Sequence, residues 1–155
     1  MRIRDIMSTD VRYVHPDTSI EEVEHIFTET NYGTLPVVDK EGNLKGVVTL
    51  STLITLLMPH VPSYFEKLHD FDFETLVDFR CRARKKHRKV ADFMIREVVT
   101  VGENEHTIRA AILLYKHDLN RLPVMSGTKV VGLVGRRDIW KALLSAMEKD
   151  SCSWR

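Results

Sequence analysis

The sequence predicts a mixed α/β (α+β) fold built from two pseudo-symmetric βαββα units that pack sheet against sheet, with a helical insertion between them. The first observation is a repeat, because the strand-like segment Leu35–Val37 recurs as Leu122–Val124 at a spacing of 87 residues (122 minus 35). The second is its order, since in both copies a second strand leads directly into a helix. The third is size: one copy is too small to bury a helix pair and a three-stranded sheet by itself.

Composition limits the classes of protein to which the chain can belong. Its 155 residues, 43% of them hydrophobic, suit one compact domain or two small halves that share a core. The 23 Lys and Arg residues nearly balance the 22 Asp and Glu residues, so the broad basic field typical of nucleic-acid-binding proteins is absent. Cys81 and Cys152 form no CxxC pair, which argues against a zinc site or a disulfide framework and favours a reducing compartment.

Targeting and membrane-spanning segments are not indicated by the sequence. The N-terminus alternates in charge and lacks the apolar region of a signal peptide. The longest apolar stretch, Leu53–Met58, is too short to cross a bilayer. We therefore expect a soluble, cytoplasmic protein that does not enter a membrane.

The first copy spans residues 1–58. Its first strand is predicted at Val11–Val14, and Asp17 or Thr18 in the following turn is the expected N-cap of a helix. That helix is predicted over Ser19–Thr30, because its apolar residues recur at helical spacing. The residues of this apolar stripe are Ile20, Val23, Ile26 and Phe27.

Two further strands and a helix complete the first copy. The strands are predicted at Thr34–Asp39 and Leu44–Leu50, and Lys40–Asn43 between them is a short hairpin signal. The closing helix is predicted over Ser51–Met58, because Pro59 follows it directly.

The second copy spans residues 90–149 and repeats this order. Its predicted elements are a strand, a helix, two paired strands and a longer helix: Val98–Val101, Thr107–His117, Arg121–Met125, Lys129–Val134 and Arg136–Lys149. The first helix carries its apolar residues on one face, the pattern of an amphipathic helix. Those residues are Ile108, Ala111, Ile112 and Tyr115.

An insertion of residues 59–89 separates the copies and is too long for a plain loop. Its apolar residues keep near-helical spacing, which predicts helical content, and its last ten residues, Arg80–Lys89, include seven Lys or Arg. This basic run could contact nucleic acid, an acidic partner or a polyphosphate. We favour neutralisation within the protein or its dimer, because acidic residues lie just upstream at Asp70–Glu74 and Asp78. Residues 150–155 form a tail.

Taken together, these features resemble a tandem of cystathionine-β-synthase (CBS) domains, the two-copy arrangement called a Bateman module. The resemblance covers residues 1–58 and 90–149. It rests on segments that mostly recur between the copies: Asp5–Met7 with Asp92–Met94, Val14–Thr18, the two Leu-Pro-Val strands, and Gly46–Thr52 with Gly132–Asp138. It implies clefts between the copies that bind adenosine nucleotides or related ligands, and a disc-like homodimer of two modules.

The segment Gly135–Asp138, where the last helix is predicted to begin, is the strongest candidate for ligand binding. A helix N-terminus presents free backbone N–H groups to an anion, and Arg136 and Arg137 can fork onto phosphate oxygens. The resemblance implies that Asp138 binds the ribose hydroxyls and that Arg121 faces the phosphates. The alternative is that Asp138 caps its own helix and the arginines are solvated.

The first copy is expected to surround the base of the ligand. Pseudo-two-fold symmetry and the resemblance together place seven residues there: Met7, Val11, Arg12, Tyr32, Gly33, Thr34 and Pro36. Tyr32 could stack on a purine, or could simply be the last-turn aromatic residue of its helix.

A weaker second site is expected in the first copy, where Thr52 stands in place of the ribose carboxylate. A hydroxyl binds a diol less strongly than a charged acceptor does. The candidate residues of this weaker site are Thr49, Thr52, Thr100 and Pro123.

The sequence therefore predicts a non-catalytic regulatory module that binds an adenine nucleotide (AMP, ADP or ATP) and changes its packing or dimer geometry in response. It contains no GxSxG, GxGxxG or GxxxxGK[ST] motif, and its seven histidines lack metal-ligand spacing, so we expect no catalytic cofactor and no metal. Two alternatives remain open: a structural dimerisation or protein-interaction module without a ligand, and nucleic-acid binding through the basic run, which is not favoured. The regulated protein is not indicated.

Overall fold

The computed structural model describes residues 1–57, 74, 77–78, 81–82 and 89–149. The helices are α1 (Ile20–Glu29), α2 (Leu50–Leu57), α3 (Thr107–Lys116) and α4 (Arg136–Lys149). The strands are β1 (Thr34–Val38), β2 (Leu44–Thr49), β3 (Val101–Gly102), β4 (Arg121–Ser126) and β5 (Lys129–Gly135). The predicted mixed α+β fold is confirmed. Of the predicted helical insertion, residues 74, 77–78 and 81–82 are helical, and the rest lies outside the described residues, as does the tail.

The chain divides into two compact units whose limits cross the sequence repeat. Unit 1 comprises Met1–Val11, Glu41–Leu44 and Glu97–Arg155, and unit 2 comprises Arg12–Lys40 and Lys45–Arg96. The leading segment of each copy therefore belongs to the unit that the rest of the other copy forms. Those segments, residues 1–11 and 90–96, each contain a 3-10 turn.

Unit 1 is built on a three-stranded sheet of order β3-β4-β5. Strand β4 runs antiparallel to β5 and parallel to β3, and a bulge interrupts its pairing between Val124 and Met125. The N-terminal segment joins β5, because Ser8 and Leu133 exchange two backbone hydrogen bonds of 2.8 and 2.9 Å. The core of unit 1 consists of Ile3, Val101, Ala110, Leu114, Leu122, Val124 and Val134.

The N-terminal segment approaches β5 so closely that only glycine fits at Gly132. A Cβ atom there would lie 2.8 Å from the Met7 sulfur and 2.9 Å from the Ser8 carbonyl oxygen. The first copy shows the same approach, because a Cβ atom at Gly46 would lie 2.7 Å from the Ile95 carbonyl oxygen. The Gly of each repeat ending therefore permits the docking of the other copy's leading segment.

Unit 2 contains the two-stranded sheet β1-β2 and the segment 90–96. Val47 and Ile95 exchange two backbone hydrogen bonds of 2.9 Å each, and the Val90 N–H donates to the Thr18 carbonyl at 2.9 Å. Val14 forms a single parallel bridge with Val37. The core of unit 2 consists of Val14, Val23, Ile26, Phe27, Leu35, Val37, Val48, Val90 and Met94.

Three local predictions need correction. Helix α1 is capped by Ser19, whose hydroxyl accepts from the Glu22 N–H, because the Thr18 hydroxyl accepts from the His15 N–H instead. The strand predicted at Val11–Val14 is reduced to the single bridge at Val14, and the one predicted at Val98–Val101 begins only at Val101. Both short strands fail because too few of their residues find a backbone partner.

The apolar face predicted for α3 points outward. The core-facing residues of α3 are Ala110 and Leu114, whereas Ile112 is 54% exposed and Tyr115 is 88% exposed. Helix α4 likewise exposes large apolar side chains. We call the resulting set the exposed apolar face: Ile108, Ile112, Tyr115, Trp140, Leu143 and Leu144.

Candidate functional site

Strand β5 runs directly into α4, and Asp138 lies in the first turn of that helix. Its Oδ2 atom accepts a hydrogen bond of 2.8 Å from the Gly135 N–H, so the carboxylate caps its own helix. Within the described residues Oδ1 has no partner, and the side chain is only half-buried. Because a carboxylate offers about four acceptor positions, capping leaves Asp138 able to accept bonds from a pair of hydroxyls.

Gly135 allows Arg121 to pass close to the start of α4. A Cβ atom at Gly135 would lie 3.0 Å from the Arg121 Cγ and 3.0 Å from the Asn120 carbonyl oxygen. Arg121 is exposed at the start of β4, and its guanidinium has no ion pair within the described residues. A larger residue at this position would crowd this arginine.

The two arginines that follow Gly135 have different surroundings. The Arg136 guanidinium donates from Nε to the Leu119 carbonyl at 2.8 Å and from Nη2 to the Asp118 carboxylate at 2.7 Å. Arg137 is exposed and has no hydrogen-bond partner in the described part of the chain. The donors of Arg137 therefore have no partner in the described part of the chain, whereas two donors of Arg136 are already bonded to the protein.

The corresponding position in the first copy is held by a pair of threonines at the start of α2. The Thr52 hydroxyl accepts from the Thr49 N–H at 3.2 Å, and the Thr49 hydroxyl accepts from the Thr52 N–H at 3.1 Å. The two hydroxyls lie 3.1 Å apart and share a third hydrogen bond. These mutual bonds leave the Thr52 hydroxyl little capacity to bind a ligand.

The remaining predicted site residues fall in both units and are described within each. In unit 1, Met7 and Val11 belong to the N-terminal segment, Thr100 is half-buried, and Pro123 is buried in β4. Their contact with a base or with a second ligand stays a prediction.

Five predicted residues of the base environment lie in unit 2. The Pro36 carbonyl accepts from the Val14 N–H at 3.0 Å, and the Gly33 carbonyl accepts from the Leu50 N–H at 3.4 Å. Tyr32 packs against the core of unit 2. Thr34 is buried and Arg12 is exposed. Their arrangement around a base stays a prediction.

Asp118 and Asn120 were not among the predicted site residues, although they belong to the turn that leads into Arg121. Asp118 has a positive φ of 49°, a conformation that Asp and Asn adopt more readily than other non-glycine residues. The Asp-Leu-Asn sequence between a helix and a strand is the signal that indicates such a turn, but it does not identify Arg136 as a partner.

The described cations of the basic run are both in ion pairs. Arg82 lies 2.7 Å from Asp78, one helical turn away, and Lys89 lies 3.1 Å from Asp17. The other cations of this run are outside the described residues. These two pairs support the interpretation that acidic residues of the same chain neutralise the run.

A groove of about 880 Å³ opens to solvent between α3 and α4 of unit 1. Its lining is mostly apolar: Ala111, Leu114, Tyr115, Lys116, Asp118, Arg136 and Ile139. Within the described ranges, the acidic, histidine and cysteine side chains form no cluster able to hold a metal ion. The same part of the chain has no helix long and apolar enough to span a bilayer.

Comparison with curated proteins finds relatives of very different lengths. An uncharacterised protein of Methanocaldococcus jannaschii is 28% identical over 158 residues, covering 93% of this chain and 92% of that protein. The CBS domain-containing protein YhcV of Bacillus subtilis is 26% identical, covering 88% of this chain and 81% of that protein. The magnesium transporter MgtE of Thermus thermophilus is 37% identical over 76 residues, which are 49% of this chain and only 17% of the transporter.

Solved structures of the same fold match nearly the whole chain. The structure of CBSX2 in complex with AMP has a TM-score of 0.73 and 24% identity, covering 94% of this chain and 97% of that one. The CBS domain pair of protein MJ0100, in complex with 5-methylthioadenosine and S-adenosyl-L-methionine, has a TM-score of 0.68 and 25% identity, covering 94% and 98%. The sequence model of the CBS domain matches residues 3–59 and 90–145. The chain therefore belongs to the CBS domain family, as a tandem pair.

Proposed function

We propose that this chain is a non-catalytic regulatory module that binds an adenine nucleotide at the start of α4. The main support is the Asp138 carboxylate. One of its oxygens accepts a hydrogen bond of 2.8 Å from the Gly135 N–H, and the other oxygen has no partner within the described residues. A fixed carboxylate with a free oxygen suits the vicinal hydroxyls of a ribose.

Two exposed arginines favour a phosphate on the ligand. Arg121 and Arg137 are exposed and have no ion pair in the described part of the chain, and both flank the N-terminus of α4. The ligands named for similar CBS pairs are AMP, 5-methylthioadenosine and S-adenosyl-L-methionine, which share adenosine. The two free arginines favour AMP, ADP or ATP over the ligands that lack phosphate.

We propose a single strong site in each chain. Thr52 replaces the carboxylate in the first copy, and its hydroxyl is bonded to Thr49. The site built on Thr49, Thr52, Thr100 and Pro123 is therefore weak or vacant. This difference between the copies gives the experiment its internal control.

The test is titration calorimetry of the purified chain with AMP, ADP, ATP, S-adenosyl-L-methionine and 5-methylthioadenosine. Asp138→Asn keeps an acceptor for the Gly135 N–H but loses the charge. We expect it to weaken nucleotide binding about 10- to 100-fold, the loss of one or two charge-assisted hydrogen bonds. Thr52→Ala is the matched control and should bind like the wild type. Absence of nucleotide binding by the wild type at millimolar concentration would refute the proposal.

We also propose that the module works as a homodimer and reports adenine-nucleotide levels in the cytoplasm through its packing or dimer geometry. The exposed apolar face supports a second copy as the partner, since monomers rarely expose so many large apolar side chains on neighbouring helices.

A further inference from the structure

We propose that Arg136 is a positioning residue that holds the segment before Arg121 against the start of α4, and that it does not itself bind phosphate. This proposal rests on the proposed nucleotide site and gives its three arginines different roles. Arg121 and Arg137 bind the phosphates, and Arg136 fixes the place from which Arg121 extends.

Arg136 makes three hydrogen bonds to consecutive residues of one turn. Its backbone N–H donates to the Asn120 carbonyl at 3.3 Å, its Nε to the Leu119 carbonyl at 2.8 Å, and its Nη2 to the Asp118 carboxylate at 2.7 Å. The Nε and Nη2 atoms form one of the edges of the guanidinium that can grip an oxyanion with two parallel bonds. Because that edge is occupied by the protein, Arg136 has fewer donors for a phosphate than Arg121 or Arg137.

The same turn determines the position of Arg121. The Asn120 carbonyl oxygen and the Arg121 Cγ both lie 3.0 Å from the position that a Cβ atom would take at Gly135. The segment therefore rests directly on the first residue of the β5–α4 junction. If the bonds from Arg136 were lost, this turn could move away and take the Arg121 side chain with it.

The exposure of the ion pair argues for positioning rather than for stability. The Asp118 side chain is 95% exposed and that of Arg136 is 51% exposed. Solvated ion pairs of this kind contribute little to folding stability. The positive φ of Asp118 ends α3, because the Leu119 N–H donates to the Leu114 carbonyl at 2.9 Å and the Asp118 N–H to the Tyr115 carbonyl at 3.2 Å.

The first copy provides the comparison. There the Leu50 N–H donates to the Gly33 carbonyl at 3.4 Å, matching the backbone bond of Arg136 to Asn120. Leucine cannot add the two side-chain bonds, and Thr34 stands where the second copy has Arg121. The side-chain bonds therefore occur in the copy that also carries the carboxylate and the phosphate-binding arginine.

The experiment compares the dissociation constants of AMP and adenosine for the full chain. Arg136→Gln should weaken AMP binding about 3- to 10-fold and leave adenosine binding within about twofold. In an Arg121→Gln background the same substitution should have no further effect on AMP, because there is no longer an arginine to position. Arg109→Gln removes another exposed arginine ion pair of unit 1 and should change neither constant.

Asp118→Asn is the second variant, since asparagine tolerates a positive φ but forms no ion pair. It should reproduce part of the Arg136→Gln effect on AMP while the melting temperature stays close to that of the wild type. The inference is overturned if the effects of Arg136→Gln and Arg121→Gln add, if Asp118→Asn leaves AMP binding unchanged, or if Arg136→Gln does. Wild-type protein that binds neither ligand would overturn the proposed function as well.

Discussion

Asp138 and Thr52 occupy corresponding positions, and each accepts a hydrogen bond from the backbone N–H three residues earlier. The difference lies in what remains, because the carboxylate keeps an oxygen without a partner in the described part of the chain, whereas the Thr52 hydroxyl is shared with Thr49. A sequence can indicate that a residue caps a helix or binds a ligand. The geometry shows that, for Asp138, these two roles are compatible.

Gly132 offers a prediction at the scale of a single residue. We expect Gly132→Ala to lower the free energy of unfolding by about 1–3 kcal/mol, because its Cβ would lie 2.9 Å from the Ser8 carbonyl oxygen, a backbone atom that cannot rotate away. Urea denaturation measures the change. Gly33→Ala is the control, since nothing lies within 4 Å of its Cβ position and φ there is not in the left-handed region. Equal losses in both variants would contradict the packing described at Gly132.

The contacts of Arg136 show where residue-scale prediction from sequence ends. Its position at the start of the last helix follows from the repeat ending. Its partners do not, because Asp118 and Leu119 are 18 and 17 residues away and meet it only when the turn before β4 folds back. Features that depend on neighbouring residues can be predicted from the sequence, whereas a partner brought close only by folding cannot be predicted in this way.

At the scale of elements, the helices were predicted to within a residue or two and the shortest strands were not. Helix α4 begins at Arg136 and ends at Lys149 as predicted, since helix signals are local. The residues at Val11–Val14 have strand-like alternation but only Val14 pairs, because pairing depends on a distant partner. The sequence predicted α3 as an amphipathic helix, but it did not indicate that the more apolar face of this helix is exposed.

The exposed apolar face leads to a prediction about assembly. We expect the wild type to be a dimer and Ile112→Asp to be a monomer, because a charge would be buried where a 54% exposed side chain is covered by the second copy. Light scattering after size-exclusion chromatography measures the mass. His25→Asp places the same charge on the exposed side of α1 and should leave the dimer intact. A wild-type monomer, or an unaffected Ile112→Asp dimer, would contradict this use of the face.

At the scale of the whole molecule, the repeat predicted two copies but not the exchange of their leading segments. Residues 1–11 fold into unit 1 and residues 90–96 into unit 2. Ile3 and Val90, both fully buried, are the anchors of these segments. The matching triplets Asp5–Met7 and Asp92–Met94 revealed that the segments correspond. Which copy each one joins depends on chain connectivity in three dimensions, and the repeat does not encode that.

This exchange predicts crossed effects of two core substitutions. Ile3→Ala should cost about 2–5 kcal/mol and increase amide exchange mainly in α3 and β4 of unit 1, because the anchor is lost from that core. Val90→Ala should act mainly on α1 and β1 of unit 2. Hydrogen–deuterium exchange with mass spectrometry distinguishes the two. The opposite pattern, with Ile3→Ala loosening unit 2 first, would contradict the exchange.

The most direct test of the central claim is the number of adenine nucleotides bound per chain, measured by native mass spectrometry during titration with AMP. We expect one nucleotide per chain for the wild type and for Thr52→Ala, and none for Asp138→Ala. Two nucleotides per wild-type chain, or one that persists in Asp138→Ala and disappears in Thr52→Ala, would contradict it.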